Sequence, residues 1–282
     1  MSARERVTLA FSSLTELGEL LNSAEFNAQR FPSCSSSGKT EAHYGRPNFF
    51  GGLTRDQAIQ IAFDGGYYPE GASNMQPVDL DPSGFMALHP VDVWEPNQVG
   101  AFANVPAFLT GEPCSMFDQA STPQNVPFLA IAVVCGRLAS TSAEAVNARG
   151  AAVLSIIDAL TSGGVRVELD ALWRNRDLTG AESDFRVRLK HADQQYDPHA
   201  CAFALAHPAF SRRLMWRLCE SQSGLQHMVG SYGNGIHADL SDYDVAVPYS
   251  PPHWDEEQDV SKWIAHLLPL VKTALEKQGP IT

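Results

Sequence analysis

The sequence predicts an α/β fold in which helices flank a mixed β-sheet and an irregular N-terminal region completes one sheet edge. Three consecutive patterns support this prediction. Residues 128–134 form an unbroken apolar run, which is typical of a strand covered on both faces. Residues 140–164 repeat apolar side chains at three- and four-residue steps, which predicts a helix lying on the sheet. Apolar and charged residues alternate over 165–170 and 185–190, which predicts two half-exposed strands in antiparallel order.

The predicted central helix has clear start and stop signals. Ser-Thr-Ser at 140–142 offers N-caps, and Glu144 suits the positive end of the helix dipole. Two glycines at 163–164 end the helix. The chain between the two alternating strands, residues 174–184, has the composition of a turn.

The C-terminal half continues the alternation of helix and strand. Asp197 and Pro198 are suited to the start of a helix, and Pro208 is expected to break it before a second helix over 209–219. Residues 243–248 resemble a short strand, and residues 260–278 carry an apolar stripe at helical spacing.

The N-terminal region is predicted to be less regular. Residues 9–21 carry leucine and phenylalanine at helical spacing, with Ser13 or Thr15 able to cap the helix, whereas residues 31–48 are polar. Thr54 is expected to cap a short helix. The predicted buried face of that helix consists of Ala58, Ile59, Ala62 and Phe63.

We therefore expect three parts of the chain. Residues 1–47 supply a helix and a mobile segment, residues 48–127 an irregular α+β region that packs on the core, and residues 128–282 the α/β core domain. Within the second part, residues 75–118 are rich in Pro, Asp and Gly, which favours short strands and loops at one edge of the sheet.

Composition limits the possible functions. The chain has 282 residues, with 32 acidic and 20 basic side chains and a formal charge of −12, which disfavours non-specific binding to nucleic acid. No apolar run is long enough for a membrane span, so we expect a cytoplasmic protein without a membrane partner. Five cysteines without paired spacing fit a reducing compartment.

Sequence motifs for nucleotides and metals are incomplete. Residues 38–40 read Gly-Lys-Thr, but Ser33 stands where a phosphate-binding loop needs its first glycine. Gly233 and Gly235 are not followed by a helix, as a dinucleotide site requires. His199 and His207 lack a third ligand at zinc spacing. We therefore predict no cofactor and no metal.

Cys135 is the best candidate for a catalytic nucleophile. It ends the first predicted strand just ahead of a helix N-terminus, where the helix dipole can lower the pKa of a thiol. Open α/β sheets generally bind ligands at this edge. The alternative is a buried structural thiol, which is the usual state of a free cysteine.

Arg212, Arg213 and Arg217 are predicted to share one side of the second C-terminal helix. They fit either a solvated surface or a patch that binds an acidic partner or a nucleic-acid backbone. A groove for single-stranded nucleic acid would also involve the strand 186–190. The overall negative charge argues against nucleic acid.

Several short motifs are spread from Phe49 to Pro248. They are Phe50-Gly51, Gly65-Gly66-Tyr67, Val91-Asp92-Val93, Gly111-Glu112-Pro113 with Met116, and Arg149-Gly150-Ala151-Ala152. Together these motifs resemble an uncharacterised family of proteins from tailed phages and related mobile elements. The resemblance implies a viral or prophage origin and no particular biochemistry.

The order of strand, long helix, strand and hairpin strand also resembles a Rossmann-like fold of the von Willebrand factor A type. Such domains bind a divalent cation through an Asp-x-Ser-x-Ser loop after the first strand. Here Cys135 replaces the aspartate, and Arg137 and Ala139 replace the serines, so the resemblance implies that the metal site is lost. Ser140 and Ser142, with Asp244 or Asp92, are the residues that could rebuild part of it. Together with Arg149 from the phage-like motif, the candidate binding residues here are Arg137, Ser140, Ser142 and Arg149.

The function we expect is that of a non-catalytic protein-binding or assembly subunit of phage or prophage type. Its partner would be another protein, in a phage or a host complex. The alternatives are an enzyme with a ligand site near Cys135 and a protein that binds single-stranded nucleic acid through a local arginine patch.

Overall fold

A computed structural model describes residues 6–28, 48–80, 94–99, 102–119, 127–136, 141–176, 182–222, 240–247 and 257–277. In chain order the elements are β1 (Arg6–Phe11), α1 (Leu14–Asn22), α2 (Ala24–Ala28), α3 (Arg55–Phe63), α4 (Pro69–Ala72), β2 (Trp94–Asn97), β3 (Phe102–Ala103), α5 (Val105–Thr110), β4 (Met116–Gln119), β5 (Phe128–Val134), α6 (Ala143–Ser162), β6 (Arg166–Arg176), β7 (Glu182–Lys190), α7 (Pro198–Ala206), a π-helix (Phe210–Met215), α8 (Trp216–Ser221), β8 (Val245–Val247) and α9 (Val260–Lys277).

The central sheet has five strands in the order β1-β7-β6-β5-β8. β5 runs parallel to both β6 and β8, and β1 runs parallel to β7. β6 and β7 are antiparallel, so the sheet is mixed. Since helices flank it, the predicted α/β class is confirmed.

The unit β5-α6-β6 agrees with the sequence pattern. Six of the seven β5 residues are buried, as expected for a strand covered on both faces. Ser142 caps α6, because its hydroxyl accepts a hydrogen bond from the backbone N–H of Ala145 at 3.0 Å. Gly164, with a φ of +83°, lets the chain turn from the helix into β6.

One prediction near this unit was wrong. The segment 174–184 is not entirely a turn, because β6 continues to Arg176 and β7 begins at Glu182. The strands are extended by cross-strand pairing, in which Arg174 Nε lies 2.6 Å from Asp184 Oδ1. Asp184 also accepts a hydrogen bond from Arg6 of β1, so the same carboxylate joins three strands.

The helix predicted over residues 9–21 begins only at Leu14. Leu9 and Phe11 instead lie in β1, where alternate side chains turn toward the core and their neighbours are exposed. Ser13 accepts a hydrogen bond from the backbone N–H of Glu16, and this cap separates strand from helix. Leu9 and Phe11 are two apart, which fits a strand, but Phe11 and Leu14 are three apart, which fits a helix, so spacing alone did not mark the boundary. The three-part division at residues 47 and 127 stays a prediction.

The four other predicted helices and the predicted strand at 243–248 lie where the sequence places them, whereas α2, α4 and α5 were not predicted. Asp197 caps α7 with Pro198 in its first turn, and the helix ends at Ala206, with His207 as its C-cap directly before Pro208. The chain then passes through the π-helix into α8. Thr54 caps α3 through a capping box with Gln57. Phe63 was predicted to be buried but is 39% exposed.

The two faces of the sheet differ in chemistry. On one face, apolar side chains of all five strands join a single core with the flanking helices. On the other face, Asp170 is fully buried, pairs with Arg188, and accepts a hydrogen bond from Tyr243 Oη at 2.8 Å. Burial raises the pKa of Tyr243 to about 12. This buried network of an ion pair and a hydrogen bond stabilises the sheet.

A second, three-stranded antiparallel sheet has the order β2-β4-β3. α5 lies between β3 and β4 in sequence, with Asn104 as its N-cap and Gly111 as its C-cap. Short strands were expected in this region. Within the described residues, no helix combines the length and hydropathy required to span a membrane.

Candidate functional site

The carboxyl ends of β5 and β8 lie side by side, and Arg149 of α6 joins them. Its Nη2 donates to the carbonyl oxygens of Val134 at 3.2 Å and Val247 at 3.3 Å. Arg149 is only 1% exposed. It therefore acts as a buried tie between helix and strands, a position unlike that of an accessible binding residue.

Cys135 occupies the same edge but does not reach solvent. It is 1% exposed, and its Sγ lies 3.5 Å from the carbonyl oxygens of Val133 and Ala204. The thiol thus packs between β5 and the end of α7, as the structural alternative predicts. Ser142 is engaged as the cap of α6. Arg137 and Ser140 lie outside the described residues.

The prediction that the three arginines of the second C-terminal helix form an exposed surface is wrong. Arg212, Arg213 and Arg217 are 2%, 6% and 4% exposed. Arg212 donates to the carbonyl oxygens of Phe49 and Thr141, each at 2.6 Å. Backbone acceptors therefore replace the water that these cations would otherwise bind.

Aromatic rings complete the environment of these cations. The guanidinium carbon of Arg212 lies 4.1 Å from the ring centroid of Phe49, and that of Arg213 lies 3.4 Å from Phe50. Arg213 also donates to a backbone carbonyl, that of Leu53, at 3.3 Å. Arg217 lies 5.1 Å from Phe26, and burial lowers its pKa to about 10.

An open cleft of about 660 Å³ lies beside this edge of the sheet. Its walls come from the start of α6, the end of α7, the residues before α9, and two connecting segments. Five carboxamide side chains dominate its polar lining: Asn48, Asn74, Gln76, Asn147 and Gln258. Tyr68 supplies an aromatic wall.

The charges in the cleft are partly compensated. Glu144 lies in the first turn of α6, and Asp259 Oδ1 accepts a hydrogen bond from Ser261 N–H at the start of α9. Both carboxylates therefore face positive helix ends. Lysine and arginine do not occur among the described residues that line the cleft.

His207 forms part of the cleft wall as a neutral side chain. Burial lowers its pKa to about 4, although hydrogen bonding with the backbone of Gly51 opposes the shift. Its Nδ1 accepts a hydrogen bond from Ala209 N–H at 3.1 Å. Gly51 has a φ of +67°, and a Cβ there would lie 2.7 Å from the imidazole. His207 thus closes the junction between α7 and the π-helix.

A third feature is an exposed apolar surface on the small sheet and α5. We define the docking surface by five side chains that are 57–78% exposed: Val99, Phe102, Val105, Phe108 and Leu109. Three of them fall at i, i+3 and i+4 on α5, so they share one face of that helix. Ala107 points the other way and is buried.

The described residues offer little for metal binding, and two of the buried thiols are unreactive. Groups of three or more His, Cys, Asp or Glu that could hold a metal ion do not occur among them. Burial raises the pKa of Cys201 and of Cys219 to about 12, so both stay protonated thiols at neutral pH.

Comparison with known proteins gives one family. The family described as "Domain of unknown function (DUF7192)" matches residues 3–279. The chain belongs to this family. No curated protein and no solved structure gives a significant match. The function of this DUF7192 domain is therefore inferred from the geometry of its cleft and its docking surface.

Sequence reasoning missed both the cleft and the docking surface. The cleft collects residues from Asn48 to Val260, and carboxamides at such separations form no recognisable motif. The helical spacing of Val105, Phe108 and Leu109 was visible in the sequence. An apolar stripe ordinarily indicates the side that faces a core, so the pattern alone did not indicate exposure.

Proposed function

We propose that this protein is a non-catalytic protein-binding or assembly subunit and that it contacts its partner through the docking surface. The observation that supports this proposal is the exposure of five large apolar side chains within eleven residues, from Val99 at 77% to Leu109 at 78%. Single exposed apolar residues are common, whereas Val105, Phe108 and Leu109 share one face of α5, and an exposed group of this kind marks an interaction site.

The position of these side chains favours a partner over the chain's own core. Ala107 already fills the inward side of α5, and Asn104 and Gly111 cap the helix at its two ends. Within the described residues, the apolar face of α5 therefore contributes little buried surface to the fold. A short helix that presents residues i, i+3 and i+4 is suited to an apolar groove on another protein.

Charge indicates the kind of groove. Residues 94–119 contain three acidic side chains and no Lys, Arg or His, and the whole chain carries −12. A second copy would bring the same negative charge and repel the first. We therefore propose a different protein, with an apolar groove and a basic rim. A phage or mobile-element origin for that complex stays a prediction of the sequence resemblance.

The proposal is tested by replacing Phe108 with serine. A stable partner is first captured from the native host and purified, and the complex is then reconstituted from the two components. Because residues at the centre of an interface dominate affinity, Phe108→Ser is expected to weaken binding by about 30-fold or more. The dissociation constant is measured by isothermal titration calorimetry.

The matched control is Leu20→Ser, since Leu20 is 38% exposed on α1, outside the docking surface. This variant should bind the partner like the wild type. Equal affinities for Phe108→Ser and wild type would reject the docking surface as the contact. Sedimentation velocity of the isolated protein gives a second check, because a dimer broken by Phe108→Ser would assign the surface to self-association instead.

A further inference from the structure

We propose that the cleft beside the carboxyl ends of β5 and β8 binds a neutral polyhydroxylated small molecule, such as a saccharide. This inference concerns a different part of the molecule from the docking surface and does not depend on it. It rests on the fixed orientation of the carboxamides and on the charge of the cleft.

The hydrogen bonds among the carboxamides determine what they offer to a ligand. Asn74 Nδ2 donates to Asn147 Oδ1 at 2.7 Å, which assigns the orientation of both amides. Among the described residues this leaves Asn147 Nδ2 as a donor and Asn74 Oδ1 as an acceptor. A donor and an acceptor thus lie side by side on the cleft wall.

Gln76 extends the same pattern. Its Oε1 accepts from Ser261 Oγ at 2.8 Å, and its backbone N–H donates to Ser155 Oγ at 2.9 Å. These contacts hold the residue between α6 and α9 and leave Nε2 as a further donor. The donors are therefore held in place before any ligand arrives, which reduces the entropic cost of binding.

A hydroxyl group matches this arrangement because it accepts from one carboxamide and donates to another at the same time. Neighbouring hydroxyls on one ring repeat that match along the wall. Tyr68 offers an aromatic side chain against which the apolar face of a sugar ring can pack. A volume of about 660 Å³ is within the range of small-molecule sites and accommodates one or two sugar rings.

Charge argues against the other ligand classes. A phosphate or carboxylate ligand would meet Glu144 and Asp259 without a lysine or arginine among the described lining residues. A cationic ligand would meet two carboxylates that already interact with helix N-termini. Five carboxamides then remain as the main polar groups, and carboxamides select for hydrogen bonding rather than for charge.

The experiment uses the full-length protein and saturation-transfer NMR with three matched probes at millimolar concentration. The probes are glucose, glucose 6-phosphate and glucosamine, followed by a panel of neutral disaccharides. We expect transfer to neutral sugars and weaker transfer to both charged analogues. Asn147→Ala removes one donor and the partner of Asn74, so it should weaken binding of the best neutral probe about tenfold.

Asn22→Ala is the matched control, because Asn22 is an exposed amide at the end of α1, away from the cleft. It should bind the probe like the wild type. If Asn147→Ala does not fold, Ala143→Phe takes its place as the test variant. It places a ring at the cleft wall and should abolish binding. Transfer only to a charged analogue, no transfer to any neutral sugar, or equal binding by Asn147→Ala and Asn22→Ala would overturn the proposal.

Discussion

Two regions of this molecule reverse the usual distribution of side chains. The π-helix and α8 bury three arginines beneath aromatic rings, whereas the docking surface exposes five large apolar residues. Arg212 and Arg213 donate to backbone carbonyls, which compensates their loss of water, and Arg217 lies against the ring of Phe26. The apolar side chains on α5 instead remain 57–78% exposed to water. The first arrangement is thus explained by stability, and the second requires a partner.

The largest effect on stability is expected at the buried side of this comparison. Arg212→Ala leaves the carbonyls of Phe49 and Thr141 without their donor and opens a cavity beside the Phe49 ring. We expect a loss of about 3–5 kcal/mol in the free energy of unfolding. Urea denaturation followed by circular dichroism measures it.

Arg166→Ala provides the control for that change. Arg166 is exposed at the start of β6, so its loss should alter the unfolding free energy by less than about 0.5 kcal/mol. If both variants unfolded at the same urea concentration, Arg212 would be a surface residue in solution and the comparison would fail.

A smaller loss in the free energy of unfolding is expected at low pH, because the buried region also includes neutral His207. Its pKa falls from 6.5 to about 4 on folding, so the unfolded chain binds more protons between these values. Stability from this residue is complete above pH 6.5 and is lost as the pH falls toward 4. The loss is on the order of 3 kcal/mol. Urea denaturation at a series of pH values measures it.

His207→Gln should remove this part of the pH dependence. His266→Gln, at an exposed position of α9, should retain it. An unchanged pH profile in His207→Gln would mean that the imidazole is accessible to protons, which contradicts its place in the closed junction between α7 and the π-helix.

The substitution Gly150→Ala tests how closely α6 and α7 pack in the buried region. A Cβ at this position would lie 2.4 Å from Ala206 Cα and 2.6 Å from Leu205 O, so Gly150 allows α6 and α7 to approach closely. Glycine to alanine in a helix interior ordinarily stabilises by about 1 kcal/mol. Here Gly150→Ala should destabilise by about 1–3 kcal/mol. A stabilising result in thermal unfolding would contradict the close contact.

The smallest effect on stability is expected at the docking surface. Phe108 is 68% exposed, so Phe108→Ser should change the unfolding free energy by less than about 0.5 kcal/mol while it weakens partner binding. Urea denaturation of this variant beside Leu20→Ser separates the two effects. A large loss of stability would place Phe108 in the core and remove the contrast between the regions.

Much of the fold followed from local patterns. The apolar run of β5, the cap at Ser142 and the proline at 208 each act through neighbouring residues, and the structure confirms them. The failure at Leu9 and Phe11 has a physical reason, because β1 is fixed by pairing with β7, some 170 residues away. Pairing partners at that distance leave no local signal.

The candidate sites were less predictable. Arginine is usually solvated, so a run of three at 212–217 favoured a surface, and only the distant carbonyls at Phe49, Leu53 and Thr141 explain its burial. The cleft and the docking surface depend on which residues the tertiary fold brings together or leaves uncovered. Neither property is encoded in the spacing of residues along the chain.

The most direct test of the docking surface uses Cys114. This exposed thiol lies next to Ser115, whose carbonyl accepts a hydrogen bond from Asn104 N–H at the start of α5. Cys135, Cys201 and Cys219 are buried, so in a Cys34→Ser background Cys114 is the cysteine that reacts with a maleimide. Its labelling rate is measured with and without the purified partner.

At a partner concentration of about ten times Kd, about a tenth of the protein is free, and labelling should slow about tenfold. With affinity about 30-fold weaker, at least about three quarters of the Phe108→Ser variant is free at the same concentration, so its labelling should slow by less than about 1.4-fold. If the complex forms, as sedimentation shows, and Cys114 still reacts at the free rate, the partner binds elsewhere and the account of the docking surface is wrong.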